Sequence, residues 1–176
     1  NYHKIEKTSV ANGTGIRVVL WVSGCSLHCK GCHNPETWSI NSGKLFDEEA
    51  KKELFEALDK PYIQGITLSG GHPLENENAE TIYLLVKEIK EKFPSKDIWL
   101  YTGYTLEQIY PTVVTDDFNL PRFYKQSIVE MCDVVVDGKY VEELRDITLK
   151  WRGSSNQRVI DVKKTLKKGE VVLYKD

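Results

Sequence analysis

Four short apolar runs constrain what this chain can fold into. IRVVLWV (16–22), GITLS (65–69), DIWLYT (97–102) and DVVVD (133–137) show little polar–apolar alternation, which suits strands buried on both faces. Helical periods lie between them. DEEAKKELFEALDK (47–60) stacks Ala50, Leu54 and Leu58 after an acidic start, and ENAETIYLLVKEIKEKF (77–93) puts Ile82, Leu85, Val86, Ile89 and Phe93 on one face. A short helix is expected from Thr105 and another over about 123–132; residues 111–126, with Pro111 and Pro121, read as an irregular insertion. RVIDV (158–162) and EVVLY (170–174) are weaker strand candidates. The alternation predicts an α/β fold, either a partial (β/α) barrel or an open, mostly parallel sheet of about five to six strands with flanking helices. No linker, repeat or low-complexity segment interrupts the chain, so residues 1–176 are expected to form one domain.

In either architecture, ligands gather beyond the carboxyl ends of the strands. Four segments fall there: GCSLHCKGCHNPETW (24–38), SGGHP (69–73), TGYT (102–105) and DGK (137–139). Their joint position is a stronger signal than any of them alone. The glycines of SGGHP would let backbone approach a ligand closely.

The first segment holds three of the four cysteines, Cys25, Cys29 and Cys32, in the spacing C-x3-C-x2-C. Structural zinc takes four thiolate or imidazole ligands, commonly as two separated pairs. Here a second pair is missing, and a zinc-binding module would have to recruit His28, His33 or Cys132. A disulfide enzyme built on Cys29 and Cys32 leaves Cys25 without a role. A ferredoxin would bring a fourth cysteine to its cluster. A cubane iron–sulfur cluster held by three thiolates fits the loop better and leaves one iron open to a substrate. Cys132, after Met131 at a helix-to-strand junction, is expected to be a buried free thiol.

Composition narrows the function classes. Lys and Arg total 24 against 26 Asp and Glu, a net charge of −2, which leaves no electrostatic footprint for nucleic acid. Lys163, Lys164, Lys167 and Lys168 read as a solvated face. No apolar run approaches the ~20 residues of a membrane span. The opening NYHKIEKTSVANG has no apolar signal core, so a cytoplasmic location is expected, with no membrane partner. In that reducing compartment clustered cysteines point to metal or redox chemistry.

The cysteine loop after a first strand, followed by SGGHP after a second, resembles the radical S-adenosylmethionine enzymes. CHNPETW (32–38), NGTGIR (12–17), DIWLYTGY (97–104), DGK (137–139) and WRGSSNQ (151–157) narrow the resemblance to glycyl-radical-enzyme activases, in the branch serving anaerobic ribonucleoside-triphosphate reductases. The resemblance implies one 4Fe-4S cluster on Cys25, Cys29 and Cys32, with S-adenosyl-L-methionine chelating the fourth iron. It implies reductive cleavage to a 5′-deoxyadenosyl radical and generation of a glycyl radical on the large reductase subunit. An external one-electron donor such as a flavodoxin would supply the electron. No side chain need be catalytic, because cluster and S-adenosylmethionine carry the chemistry.

The cofactor surroundings implied are Gly31, Cys32, His33, Asn34, Ser69, Gly70, Gly71, His72, Thr102 and Asp137. His72 stands where many relatives carry an acidic residue, and Gly31 where an aromatic residue commonly packs by adenine. A monovalent cation beside the methionyl carboxylate is a further expectation, held near Thr102 and Asp137, with Lys139 the alternative partner of Asp137. Trp151 and Arg152 are candidates for docking the reductase. A small radical enzyme acting on a small molecule remains the alternative enzyme reading.

Overall fold

The computed structural model describes residues 1–111 and 119–175. Among them six strands form one sheet in sequence order: β1 (Tyr2–Ser9), β2 (Arg17–Val22), β3 (Gly65–Gly70), β4 (Asp97–Tyr101), β5 (Val134–Asp137) and β6 (Arg158–Asp161). The pairings β2–β3, β3–β4 and β4–β5 are parallel; β1 and β6 flank them antiparallel. The sheet is mixed, mostly parallel and open.

Helices α1 (Glu48–Leu58), α2 (Asn76–Lys92), α3 (Leu106–Ile109), α4 (Leu120–Met131) and α5 (Val162–Lys168) complete the fold. Local chemistry starts several of them. Asp47 accepts the Ala50 N–H at the head of α1, Thr105 and Gln108 form a reciprocal capping box on α3, and Asn119 caps α4 ahead of Pro121. Leu54 and Leu58 of α1, Ile82, Val86 and Ile89 of α2, and Ile128 and Val129 of α4 are buried against one sheet face, on Val18, Leu20, Ile66, Leu68, Ile98, Leu100 and Val135.

The other face has a different cover. Arg17 is fully buried at the amino end of β2, where its guanidinium bonds Thr67 Oγ1, Thr14 O and Ile66 O, pairs with Asp97 and lies 5.3 Å from the Trp99 ring centre. Thr67 donates to Asn12 O, so the NGTGIR loop folds back over the sheet. Trp99, Trp151 and Tyr174 then meet edge to face, with ring centres 5.1–5.9 Å apart.

Three expectations need correction. The first strand in space is Tyr2–Ser9, which carries the charges of an edge strand and too little apolar pattern to be read as one. EVVLY forms no strand among the described residues, and Leu173 makes a single bridge to Ile160. Within the expected irregular stretch 111–126, α4 already begins at Leu120; residues 112–118 of it lie outside the described residues. Among the described residues no helix is long and apolar enough to cross a membrane.

Candidate active site

The carboxyl ends of β2, β3, β4 and β5 open onto one rim, and a cavity of about 160 Å³ lies there. Cys25, Cys29 and Cys32 line it with Ser69, Gly70, Gly71, His72 and Thr102. Trp38, Tyr101, Tyr140 and Gln157 complete much of the wall. A larger cleft, about 460 Å³, lies between α3, α4 and α5 and contains no cysteine, so size does not locate the chemistry.

The cysteine loop is tied down by backbone. Gly24 N–H donates to Thr37 O at 2.7 Å and Cys25 N–H to Trp38 O at 2.9 Å, so the chain after the third cysteine returns alongside the chain before the first. Cys32 N–H reaches Cys29 O at 3.1 Å, and Asn34 N–H points at Cys32 Sγ at 3.4 Å. His28, between the first two cysteines, holds a left-handed backbone with φ 42° and packs on Trp38 with ring centres 4.6 Å apart.

The glycine turn is pressed against this loop. Gly70 has φ 106°, and a Cβ there would sit 2.5 Å from the Val22 nitrogen. A Cβ on Gly71 would lie 2.6 Å from Gly24 O, while the Gly71 N–H donates to Val22 O at 2.8 Å. Only a residue without a side chain admits so close an approach of two backbones.

His72 is buried with both nitrogens engaged. Nε2 lies 2.8 Å from Thr102 Oγ1 and Nδ1 3.2 Å from Glu75 Oε1. The same Glu75 oxygen accepts from Ser26 N and Ser26 Oγ, both at 2.8 Å. The His72 hydrogen bond, followed by those from Ser26, lowers the Glu75 carboxyl to about 2 despite its burial. Sequence reasoning missed Glu75, because in PLENEN it reads as a solvated acid at a helix start.

Other expected residues sit around the cavity and do not line it. Gly31 is at the outside of the loop with φ 73°, where a Cβ would meet the Glu142 carboxylate. His33 is exposed, 6.0 Å from Tyr140 between ring centres, and Asn34 turns its carbonyl to Thr37. Asp137 is fully buried, and its partner is Arg158 and not Lys139: Oδ1 accepts from Arg158 Nε at 2.9 Å, and Oδ2 from Arg158 Nη2 and the Leu106 N–H. Both carboxylate oxygens, where a cation was expected, are thus occupied by a guanidinium. Trp151 turns inward onto Trp99, and Arg152 donates to Gln157 O. Gln157 is the member of WRGSSNQ that reaches the cavity, with its Nε2 on Gly138 O at 3.0 Å. The antiparallel run of β6 brings it there, and only pairing of β6 with β5 could have told this from the sequence.

The donor set fits an iron–sulfur centre. Burial pushes the Cys25 and Cys29 thiols up, with Lys139 opposing this at Cys29, so a cationic centre is what would hold them as thiolates. The Trp38 indole N–H is buried with no acceptor among the described residues. An unpaired buried donor of this kind costs about 1–3 kcal/mol. Cys132 is fully buried away from the cavity, and burial raises its thiol far above the usual range.

Comparison with known proteins agrees with this chemistry. The family model described as a 4Fe-4S single cluster domain matches residues 11–160. The anaerobic ribonucleoside-triphosphate reductase-activating protein of Enterobacteria phage T4 is 45% identical over 160 residues, covering 90% of this chain and 92% of that one. The proteins of the same name from Escherichia coli K12 and Vibrio cholerae are 40% and 41% identical, covering 97% and 95% of their own lengths. The chain belongs to the anaerobic ribonucleoside-triphosphate reductase-activating protein family. The 4Fe-4S match covers both the cysteine loop and the glycine turn, and within this family the three-thiol rim is the candidate seat of the cluster.

Proposed function

We propose that this chain is a radical S-adenosylmethionine activase that generates a glycyl radical on its anaerobic ribonucleotide reductase. The observation that carries the reading is the meeting of Cys25, Cys29 and Cys32 with the Gly70–Gly71 turn in one cavity at the strand ends. When bound, the cluster and S-adenosylmethionine would supply the chemistry: one external electron would break the carbon–sulfur bond to give methionine and a 5′-deoxyadenosyl radical, which would take a hydrogen atom from a reductase glycine and leave as 5′-deoxyadenosine.

The protein's part is to hold and to shield. Cys25, Cys29 and Cys32 would each hold one iron of the cluster. The backbone of Ser69, Gly70 and Gly71 offers the polar edge against which an amino acid moiety would lie. His72 and Thr102 are bonded to each other, which fixes the far wall of the cavity. Tyr140 and Gln157 form the side nearest the segment after β5. No group on this chain needs to move a proton.

The test is anaerobic reconstitution followed by incubation with S-adenosylmethionine, reductant and the reductase. Expected are about four irons and four sulfides per chain, 5′-deoxyadenosine and methionine in equal amounts, and a glycyl-radical signal on the reductase. Serine at Cys25, Cys29 or Cys32 abolishes all three; Cys132→Ser keeps them. A colourless zinc-loaded protein, or a cluster that survives Cys29→Ser and fails in Cys132→Ser, overturns the reading.

A further inference from the structure

Trp38 takes no part in the proposed reaction. Its backbone carbonyl accepts the Cys25 N–H at 2.9 Å, so the residue is fastened to the first thiol of the loop. Its ring is held by His28, which lies between Cys25 and Cys29, at 4.6 Å between centres. It lines the same cavity as all three thiols. Its indole N–H is buried and meets no acceptor among the described residues. The carbonyls of Thr37 and Trp38 itself already accept from Gly24 and Cys25. Trp38 thus brings a buried, unpaired donor to the wall of the thiol cavity, and the acceptor that a cluster would bring to that wall is sulfur.

We infer that Trp38 is a positioning residue whose indole N–H donates a hydrogen bond to a sulfur of the iron–sulfur centre, thiolate or sulfide, and so raises its reduction potential. This rests on the three-cysteine cluster proposed above. Reduction adds negative charge that is spread over the sulfurs, and a donor pointed at one of them stabilises the reduced form more than the oxidised one. Loss of the donor therefore moves the potential to more negative values. Delivery of the electron becomes harder while the cluster stays in place.

The experiment uses anaerobically reconstituted full-length protein and an EPR-monitored redox titration without S-adenosylmethionine. It compares wild type, Trp38→Phe, and a chain with benzothienylalanine at position 38, which keeps the ring shape and has no N–H. The expected result is unchanged iron and sulfide content in the benzothienylalanine protein with a more negative midpoint potential. An exchangeable proton coupled to the reduced cluster, seen by ENDOR in H2O and absent in D2O and additional to that of the Asn34 N–H on Cys32 Sγ, is expected in wild type and missing from both replacements. If Trp38→Phe loses its cluster through poor packing, the benzothienylalanine protein decides. An unshifted potential with the proton coupling retained overturns the inference. So does a coupling that arises only after S-adenosylmethionine is added, since the acceptor is then the cofactor. Failure of wild type to form a four-iron cluster sinks the functional reading itself, whereas a loaded wild type with unshifted replacements sinks this inference alone.

Discussion

Glu75 accepts both the backbone N–H and the hydroxyl of Ser26 at 2.8 Å, which ties the cysteine loop to the turn that follows β3. The same carboxylate oxygen meets His72, which reaches Thr102 at the end of β4. One acidic side chain thus sets the spacing of three strand ends. Glu75→Ala removes the acceptor and leaves the Ser26 N–H and the His72 ring nitrogen unpaired. A loss of about 1–3 kcal/mol is expected in urea unfolding of the apo-protein. Reconstituted Glu75→Ala protein is expected to lose cluster faster in a chelator than wild type does; equal stability and equal chelation rates would remove the tie.

The same carboxyl gives a pH dependence. His72 first, then Ser26, lowers it to about 2, against about 4.3 for an unfolded glutamate. A depressed acid contributes stability above its unfolded value and loses it as pH falls through the folded value. Its contribution should therefore be complete at neutral pH, begin to fall below about 4.3 and vanish near 2. The stability gap between wild type and Glu75→Gln should close over this window in acid unfolding followed by circular dichroism. A gap independent of pH would contradict the assignment.

Gly71→Ala tests the contact between the glycine turn and the cysteine loop. The added methyl would lie 2.6 Å from Gly24 O and 3.0 Å from Thr37 O, both backbone atoms with little room to yield. Overpacking of this kind costs about 1–3 kcal/mol. Calorimetry should report a lowered Tm, and S-adenosylmethionine binding to the reconstituted protein should weaken about tenfold or more, since a displacement worth 1.4 kcal/mol is already tenfold. Unchanged affinity would separate the turn from the cofactor.

Asp137 and Arg158 supply a fourth test. Arg158→Met strips a fully buried carboxylate of its guanidinium partner, and a loss of about 3–5 kcal/mol is expected. Adding Asp137→Asn should recover much of it, because the stranded charge goes with it. A double-mutant cycle in urea measures the coupling; additive losses would mean that the pair contributes little.

What could be read from the sequence follows burial. The strands β2, β3, β4 and β5 are apolar on both faces and announce themselves, and the cysteine spacing needs no tertiary context. Tyr2–Ser9 does not, because an edge strand is held by backbone pairing to β2 while Lys4 pairs with Glu6 and Lys7 with Glu53 of α1. EVVLY misleads in the other direction, since it meets β6 through one bridge at Leu173 and two backbone hydrogen bonds and leaves Val171 and Leu173 exposed. Arg158 and Gln157 become site residues only through antiparallel pairing of β6 with β5, and Glu75 only through a contact to Ser26 across 49 residues. Trp151 reads as an exposed anchor for a partner, yet its ring is spent on Trp99 and Tyr174.

Trp151→Ala accordingly should act on stability first. Removing a half-buried indole from the Trp99–Tyr174 contact is expected to cost about 2 kcal/mol, read as a lower urea midpoint. Unchanged stability together with a selective loss of glycyl-radical formation would return the residue to a docking role.

The segment between β5 and β6 leaves the rim at Gly138 and comes back to it at Gln157, whose side chain bonds the Gly138 carbonyl at 3.0 Å. Its two ends are therefore pinned side by side by sheet register, Asp137 opposite Arg158. An excursion anchored in this way can vary at its tip while its flanks stay fixed, Tyr140 in the cavity wall and Trp151 on Trp99. Its interior can be lengthened at an entropic cost that rises only with the logarithm of its length. Exchanging the stretch 144–150 between those two posts would then change the surface shown to a partner protein while Tyr140 stays in the wall of the thiol cavity and Trp151 stays on Trp99.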